Sequence, residues 1–238
     1  MLINIAGLQK MTLLDYPGKV ACTVFLQGCN FRCPFCHNGE ILDGTPPGSM
    51  TTEELLAFLK KRQGLLEGVC VTGGEPTVQK DLARFLAAIK ELGFSVKLDT
   101  NGFRPDVLKQ VVEAGLVDYV AMDIKNSPDR YGETVGLPRM DLAPIEESIR
   151  FLMEGTIPYE FRTTVVEEFH DEAACGAIGK WTQHIVVEGK IKNYFLQPYV
   201  DRETVINRTL HTPDKEKIRR FAAILAPYAE KVEIRGMD

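Results

Sequence analysis

The strongest chemical signal in the chain is a trio of cysteines, Cys29, Cys33 and Cys36, set within a single short stretch, Cys29-Asn-Phe-Arg-Cys33-Pro-Phe-Cys36. Thiolates are soft ligands, and a tight loop of them suits an iron–sulfur cluster or a zinc ion. A structural zinc site wants four ligands, often as two paired halves, and no second cysteine pair follows here. His37 could be a fourth ligand, but it adjoins Cys36 and would be strained to reach the same metal. Three ligands on a four-iron cluster would leave one iron open to a reactant. The blander readings are three packing cysteines or a zinc knuckle. Cys22 and Cys70 fall in apolar runs and read as core, and Cys175 falls on a helix with no second cluster motif near it.

Weaker constellations accompany the trio. In Thr72-Gly73-Gly74-Glu75-Pro76, two glycines let the backbone approach a ligand closely and the glutamate offers a carboxylate to a cation. Alone, the same run is a turn before a helix. Asp99-Thr100-Asn101-Gly102 and Met122-Asp123-Ile124-Lys125 each end a strand-like run, and each taken alone is a polar loop cap. Arg162 sits inside the apolar run 161–166, where a guanidinium is costly unless it holds an anion. That anion is either a bound carboxylate or an internal partner such as Glu160 or Glu188. His170, His184 and His211 show no ligand spacing and read as surface or loop residues.

Alternating strands and helices position these groups. Val20 to Leu26 reads as a buried strand, and Thr51 with Glu54 forms a capping box before the stripe Leu55, Leu56, Leu59. Val69 to Thr72 is the next strand. A helix through Leu82, Phe85, Ile89 and Leu92 follows, with Gly93 at its C-terminal cap. Val96 to Leu98, a helix from about Asp106 to Gly115, Tyr119 to Met122, and a helix through Ile145, Ile149 and Leu152 to Gly155 continue the pattern. Phe161 to Val166, a helix from about Asp171 to Trp181, and Tyr194 to Leu196 extend it. Thr212 and Pro213 read as cap and first residue of a last helix that stops at Pro227, before a short strand at Val232 to Ile234. Such regular β-α units argue for a parallel sheet wrapped by helices, with too few units for a full eight-fold barrel. The cysteines, Gly-Gly-Glu, Asp-Thr-Asn-Gly, Asp-Ile-Lys and Gln197-Pro198-Tyr199 all follow or end successive strands. In a parallel barrel such ends meet at one mouth.

Composition narrows the class. The 238 residues are 45% hydrophobic and 26% charged, as in a globular enzyme, and the net charge of −5 argues against bulk electrostatic binding of nucleic acid. The amino terminus lacks the basic start of a secretory signal, and the apolar run Phe221 to Ala226 is too short to cross a bilayer. A cytoplasmic protein without a disulfide framework is expected. No Pro/Ser/Gly-rich linker divides the chain, so residues 1–238 read as one domain. Its parts are an N-terminal segment to about residue 19, a core over 20–200, and a C-terminal helix and strand over 201–238.

The C-x-x-x-C-x-x-C spacing, with aromatic Phe35 before the last cysteine, resembles the signature of the radical S-adenosylmethionine (SAM) enzymes. Its continuation Cys36-His37-Asn38 resembles the branch that activates glycyl radical enzymes. Leu13-Leu14-Asp15-Tyr16-Pro17-Gly18 and Phe25-Leu26-Gln27-Gly28-Cys29 are similar to the longer form of the anaerobic ribonucleoside-triphosphate reductase activating proteins. The similarity runs from about Gly7 to Pro198-Tyr199.

The resemblance implies an α/β fold, a partial (β/α)6 TIM-like barrel of the radical SAM type. It implies a 4Fe-4S cluster on Cys29, Cys33 and Cys36, reduced by a flavodoxin or ferredoxin. It implies a SAM pocket in which Gly73, Gly74 and Glu75 hold the amino group and Arg162 the carboxylate. Phe35, His37, Thr100, Asn101, Asp123, Lys125, Pro198 and Tyr199 complete that pocket, and Asp99, Thr100 and Asp123 form a monovalent-cation site. One electron passed to SAM gives a 5′-deoxyadenosyl radical, which takes a Cα hydrogen from a glycine of the partner enzyme. Asp15 matches the Asp-Gly-Pro-Gly run that faces the glycyl-radical peptide, although Tyr16 replaces the glycine. Pyruvate formate-lyase activators carry a histidine just after Pro-Tyr, where this chain has Val200 and Asp201. The anaerobic ribonucleotide reductase is therefore the expected partner, with no nucleic acid or membrane involved. The rivals are an activator of another glycyl radical enzyme of the pyruvate formate-lyase type and an enzyme acting on a small molecule, as carboxy-deazaguanine synthases do. A zinc-stabilised interaction module is the rival from another class.

Overall fold

A computed structural model describes residues 3–42 and 49–237. Eight strands form one sheet in chain order: β1 (Ile5–Thr12), β2 (Ala21–Leu26), β3 (Gly68–Gly73), β4 (Ser95–Thr100), β5 (Tyr119–Asp123), β6 (Tyr159–Val165), β7 (Ile191–Pro198) and β8 (Ala229–Ile234). The pairs β2–β3, β3–β4, β6–β7 and β7–β8 are parallel. Helices α1 (Thr52–Lys60), α2 (Leu82–Glu91), α3 (Pro105–Glu113), α4 (Tyr131–Thr134), α5 (Ala143–Glu154), α6 (Glu172–Ile185) and α7 (Lys215–Leu225) separate the strands after β2. This is the alternating α/β architecture expected from the periodicity. Among the described residues no helix is long and apolar enough to cross a membrane.

The described residues pack as two compact units. The first holds the chain up to Asn30, residues 40–100 and residues 106–121; the second holds residues 31–39, 101–105 and the chain from Met122 onward. In the first unit, β2, β3 and β4 run in parallel, with Leu26 opposite Gly73 and Val71 opposite Leu98. Their buried faces carry Val24, Leu26, Val69, Val71, Val96 and Leu98. The α2 stripe Leu82, Phe85, Leu86 and Ile89 is fully buried, and each such side chain contributes roughly 1.5–3 kcal/mol by leaving water. Thr51 caps α1 through the expected box, its hydroxyl accepting from Glu54 N–H while the Glu54 carboxylate accepts from Thr51 N–H. Gly93 and Gly115 take positive φ just past α2 and α3, the left-handed geometry that ends a helix without a Cβ penalty.

In the second unit, β6, β7 and β8 run in parallel under α5, α6 and α7. The fully buried carboxylate of Glu160 on β6 takes both prongs of Arg235, at 2.7 and 2.7 Å, and that guanidinium lies over the Phe195 ring. Both oxygens of the Glu160 carboxylate thus bind Arg235.

Three further elements differ from expectation. The N-terminal segment contains β1, antiparallel to β2, with Ile5 opposite Leu26 and Thr12 opposite Ala21. Its burial pattern departs from strict alternation because the register shifts twice along the pair, which hides the strand from a period-two reading. The last helix is capped by Asp214, whose side chain accepts from Lys217 N–H, rather than by Thr212. The Thr212 hydroxyl instead donates to the Tyr199 carbonyl at 2.7 Å. Helix α6 runs on to Ile185, four residues beyond the expected Trp181.

Candidate active site

In the first unit, the loop after β2 carries Cys29 and is held against the end of β3 by backbone hydrogen bonds. Gly74 N–H donates to Leu26 O and Glu75 N–H to Gly28 O, each at 2.8 Å. This contact explains the glycine pair. A Cβ on Gly73, whose φ is +128°, would lie 2.2 Å from Leu26 backbone atoms, and one on Gly74 would lie 2.0 Å from Gly28 O. The close approach that the glycines permit is therefore between β3 and the cysteine loop itself.

Glu75 is 1% exposed, and its Oε1 accepts from Thr77 N–H at 3.1 Å, Thr77 Oγ1 at 2.6 Å and Thr100 Oγ1 at 2.7 Å. The first bond caps a short 3-10 turn at Pro76–Val78. The last ties the end of β3 to the end of β4 and places Thr100 beside the Gly-Gly-Glu segment. Asp99, one residue earlier, has Lys97 Nζ 2.5 Å from its Oδ1. Asp15 lies in the β1–β2 connection, at the end of β2 opposite Cys29, and its carboxylate accepts from Thr23 Oγ1 at 2.5 Å. Beside it, Tyr16 is buried against Gly68 and the Tyr119 ring, and burial pushes its phenol up to about 12. The residue that replaces the expected glycine is a core residue.

In the second unit, the turn carrying Cys33 and Cys36 closes with Cys36 N–H donating to Cys33 O at 3.0 Å. Phe31 and Phe35 anchor it by packing on Phe103 and Phe169, with ring centroids 5.6 and 5.8 Å apart. The end of α4 supports it from behind: Arg32 N–H donates to Val135 O, and a Cβ on Gly136 would meet Arg32 O at 2.5 Å.

The segment after β7 folds over the same turn. Asn207 N–H donates to Pro34 O, Thr204 Oγ1 donates to His37 O, and the His37 ring bonds Val200 O at 2.7 Å while stacking on Tyr199. Burial lowers the His37 pKa against the opposing pull of its bond to Val200 O, and the charges of Arg202 and Lys125 reinforce the lowering; its Nε2–H donates to Val200 O. Just after Pro198-Tyr199, the chain thus offers the Val200 carbonyl to His37. Pro198, at the end of β7, and Tyr199 are thus beside the cysteine turn.

Asp123 ends β5 and binds two cations, Arg162 Nε at 2.9 Å through Oδ1 and Lys125 Nζ at 2.8 Å through Oδ2. Arg162 is therefore engaged by an internal carboxylate, that of Asp123. Burial alone would raise the Asp123 pKa, but Arg162 and then Lys125 outweigh it and hold the carboxyl at about 2. Burial likewise opposes the Lys125 charge, and the negative charges of Asp123 and Cys33 overcome it, so the ammonium is held well above its usual range. Two cations on one carboxylate leave a net positive charge, with side chains of Arg162, Lys125 and Asp123 12%, 16% and 26% exposed. Asn101 is buried, its Oδ1 accepting from Phe103 N–H at 3.0 Å in the turn after β4.

His170 corrects a surface reading, being 1% exposed. Its Nδ1 accepts from Val166 N–H at 3.1 Å and its Nε2–H donates to the Lys125 carbonyl at 2.9 Å, which fixes the backbone that carries Lys125. Burial lowers its pKa to about 4. Its place beside an apolar strand end, Val165-Val166, is the one sequence signal that could have found it.

All six cysteines are thiols. Burial pushes Cys22 and Cys175 up to about 12, as core residues behave. Cys33 lies close enough to the Lys125 ammonium for the two to interact electrostatically. Among the described residues no group of three or more His, Cys, Asp and Glu side chains is arranged about one metal ion. Soft donors, a neighbouring cation and a backbone-clamped loop fit an iron–sulfur cluster.

The chain matches the family model described as the Radical SAM superfamily over residues 23–174. It is 32% identical to a protein of Methanocaldococcus jannaschii named as a candidate glycyl-radical enzyme activating enzyme, over 98% of this chain and 96% of the other. It is 27% identical to the pyruvate formate-lyase 1-activating enzyme of Escherichia coli K12, over 96% of this chain and 97% of that one. Among solved structures, QueE from Escherichia coli superposes with a TM-score of 0.59 at 16% identity, covering 98% of this chain and 93% of the other. SuiB of Streptococcus suis, bound to its precursor peptide SuiA, gives 0.66 at 15% identity over 88% of this chain, which spans 47% of that protein. At such identities these structures speak to the fold.

Proposed function

This chain belongs to the radical SAM superfamily, and we propose that within it the protein is a glycyl-radical-enzyme activase whose partner is the anaerobic ribonucleoside-triphosphate reductase. The observation that carries the activase reading is the conjunction of the Cys29, Cys33, Cys36 spacing with likeness to activases along nearly the whole chain. The choice of partner rests on the segments 13–18 and 25–29 and on the absence of a histidine after Pro198-Tyr199.

In this reading Cys29, Cys33 and Cys36 would hold a 4Fe-4S cluster. When bound, that group would supply one-electron reduction of SAM, the source of a 5′-deoxyadenosyl radical able to take a glycine Cα hydrogen. A low-potential flavodoxin or ferredoxin in the cytoplasm provides the electron.

The chain's own residues bind and orient. The net positive cluster of Asp123, Lys125 and Arg162 receives the SAM carboxylate, with Asp123 keeping the two cations aimed. Glu75, fixed by Thr77 and Thr100, addresses the SAM amino group beside the glycine-permitted turn of Gly73 and Gly74. Asn101, Phe35, His37, Pro198 and Tyr199 wall the site, and the segment after β7 that clamps His37 and Pro34 helps to exclude water and oxygen from the cysteine turn. The reading leaves Asp15 out, because its carboxylate is engaged by Thr23 Oγ1 at the far end of β2.

The test is to reconstitute the protein anaerobically, supply SAM and a reductant, and offer candidate partners in turn. A glycyl doublet by electron paramagnetic resonance on the reductase supports the full reading. A doublet only on pyruvate formate-lyase reassigns the partner, a reading that the 27% identical Escherichia coli activase favours. SAM cleavage with no doublet on any partner directs attention to a small-molecule substrate.

A further inference from the structure

Lys97 has no part in the chemistry above, yet it is 1% exposed in the middle of β4, a position suited to an apolar side chain. A lone ammonium there would lose its hydration without return. Its Nζ lies 2.5 Å from Asp99 Oδ1 and 3.9 Å from Cys70 Sγ, and Cys70 Sγ is 3.7 Å from the same Asp99 oxygen. Strand geometry builds this cluster directly. Lys97 and Asp99 are two residues apart and share one face, and Cys70 is the residue opposite Lys97 on β3.

Asp99, Thr100 and Asp123 are the residues from which a monovalent metal site was expected, and its two carboxylates already hold cations of the chain's own. Asp99 Oδ1 already has an ammonium at ion-pair distance. Both oxygens of Asp123 hold cations, one Arg162 and the other Lys125. A metal ion on Asp99 would face the Lys97 charge in a low-dielectric interior, where like charges repel strongly.

We propose that the Lys97 ammonium is a built-in substitute for a dissociable alkali cation: it stands on the Asp99 carboxylate where such an ion would bind and makes the protein indifferent to monovalent metals. A covalently tethered cation neutralises Asp99 at every salt concentration and cannot be exchanged. The inference concerns only the Lys97–Asp99 cluster and does not rest on the activase reading.

The test uses the full-length, anaerobically reconstituted protein in potassium, sodium or tetramethylammonium chloride at one ionic strength. The wild type is expected to melt at the same temperature in all three, and rubidium-soaked crystals to show no anomalous peak at Asp99. Lys97→Met keeps the stem and removes the charge. It is expected to melt at least about 3 °C higher in potassium than in tetramethylammonium, and to show rubidium at Asp99. Where Lys97→Met does not fold, Lys97→Thr takes its place, with the same expectations. Rubidium at Asp99 in the wild type, or a wild-type melting point that rises with potassium, overturns the proposal. So does a folded Lys97 variant that neither binds rubidium nor responds to potassium.

Discussion

Each unit builds a buried ion cluster near the end of a parallel strand, and the two clusters differ in charge and in access. In the first unit Lys97 and Asp99 cancel one another, and their side chains are 2% and 14% exposed. In the second, one Asp123 carboxylate, 26% exposed, serves both Arg162 and Lys125, leaving one positive charge in excess; the two cations differ from the first unit's Lys97 in being 12% and 16% exposed rather than 2%. A neutral pair with a buried ammonium joins residues within one strand end. A partly open cluster with surplus charge is suited to receive an anion. Burying a charge pair is weak evidence for net stability, but removing one partner strands the other, so both clusters respond sharply to single substitutions.

The comparison can be broken at several points. The largest effect is expected from Asp123→Asn, which leaves Arg162 and Lys125 facing each other without their carboxylate. A loss of about 3–5 kcal/mol, read as a fall in melting temperature of roughly 10 °C, follows from stranding such charges. A loss below about 1 kcal/mol would mean that the cluster is solvated like a surface pair.

The next effect is a pH dependence confined to the second unit, which contains all four histidines of the chain. The His170 pKa is lowered to about 4 in the folded protein, from an ordinary value near 6.5. As pH falls below 6.5 the unfolded chain binds a proton that the folded protein refuses. Stability from this site is therefore full above about pH 6.5 and declines down to about pH 4, by at most roughly 3 kcal/mol. Denaturant titrations of the wild type and His170→Gln between pH 4 and 7 should diverge in slope, the variant being flatter. Parallel slopes would contradict the buried neutral ring.

Arg162→Met separates the two clusters by function. Asp123 and Lys125 remain paired, so the fold should lose little, while the SAM dissociation constant should rise about tenfold or more, equivalent to ~1.4 kcal/mol. An unchanged dissociation constant would make Arg162 as purely structural as Lys97. The smallest effect, about 1 kcal/mol, is expected from Asp214→Ala, which removes the N-terminal cap of α7. Thr212→Ala should cost no cap, since its hydroxyl bonds Tyr199 O instead.

Local signals in the sequence carried the parts of the fold that depend on local physics. The Thr51–Glu54 box, the left-handed glycines after α2 and α3, and the apolar runs of β2 to β7 were legible because capping, turn geometry and burial act over a few residues. The cysteine spacing was legible for the same reason. Strand β1 was not, because two register shifts blur its alternation. Charge pairing was the least legible. Arg162 finds Asp123 thirty-nine residues away, and Glu160 finds Arg235 seventy-five residues away, partnerships that only the sheet creates. Lys97 is the instructive exception. A lysine and an aspartate two apart inside an apolar strand, Val96-Lys97-Leu98-Asp99, are a local signal of a buried pair. The fold of the segment after β7 onto His37 and Pro34 had no local signal, since backbone carbonyls and amides make most of its bonds.

The central claim is that Cys29, Cys33 and Cys36 hold a cluster with one iron open to SAM. It is tested most directly by purifying the protein without air, assaying its metal, and measuring 5′-deoxyadenosine after adding SAM and a strong reductant, beside Cys33→Ala treated identically. The account predicts a brown wild-type protein with about four irons per chain that releases 5′-deoxyadenosine, and a Cys33→Ala protein that releases none. A colourless wild type carrying zinc and no iron, or a Cys33→Ala protein that cleaves SAM at the wild-type rate, would contradict it.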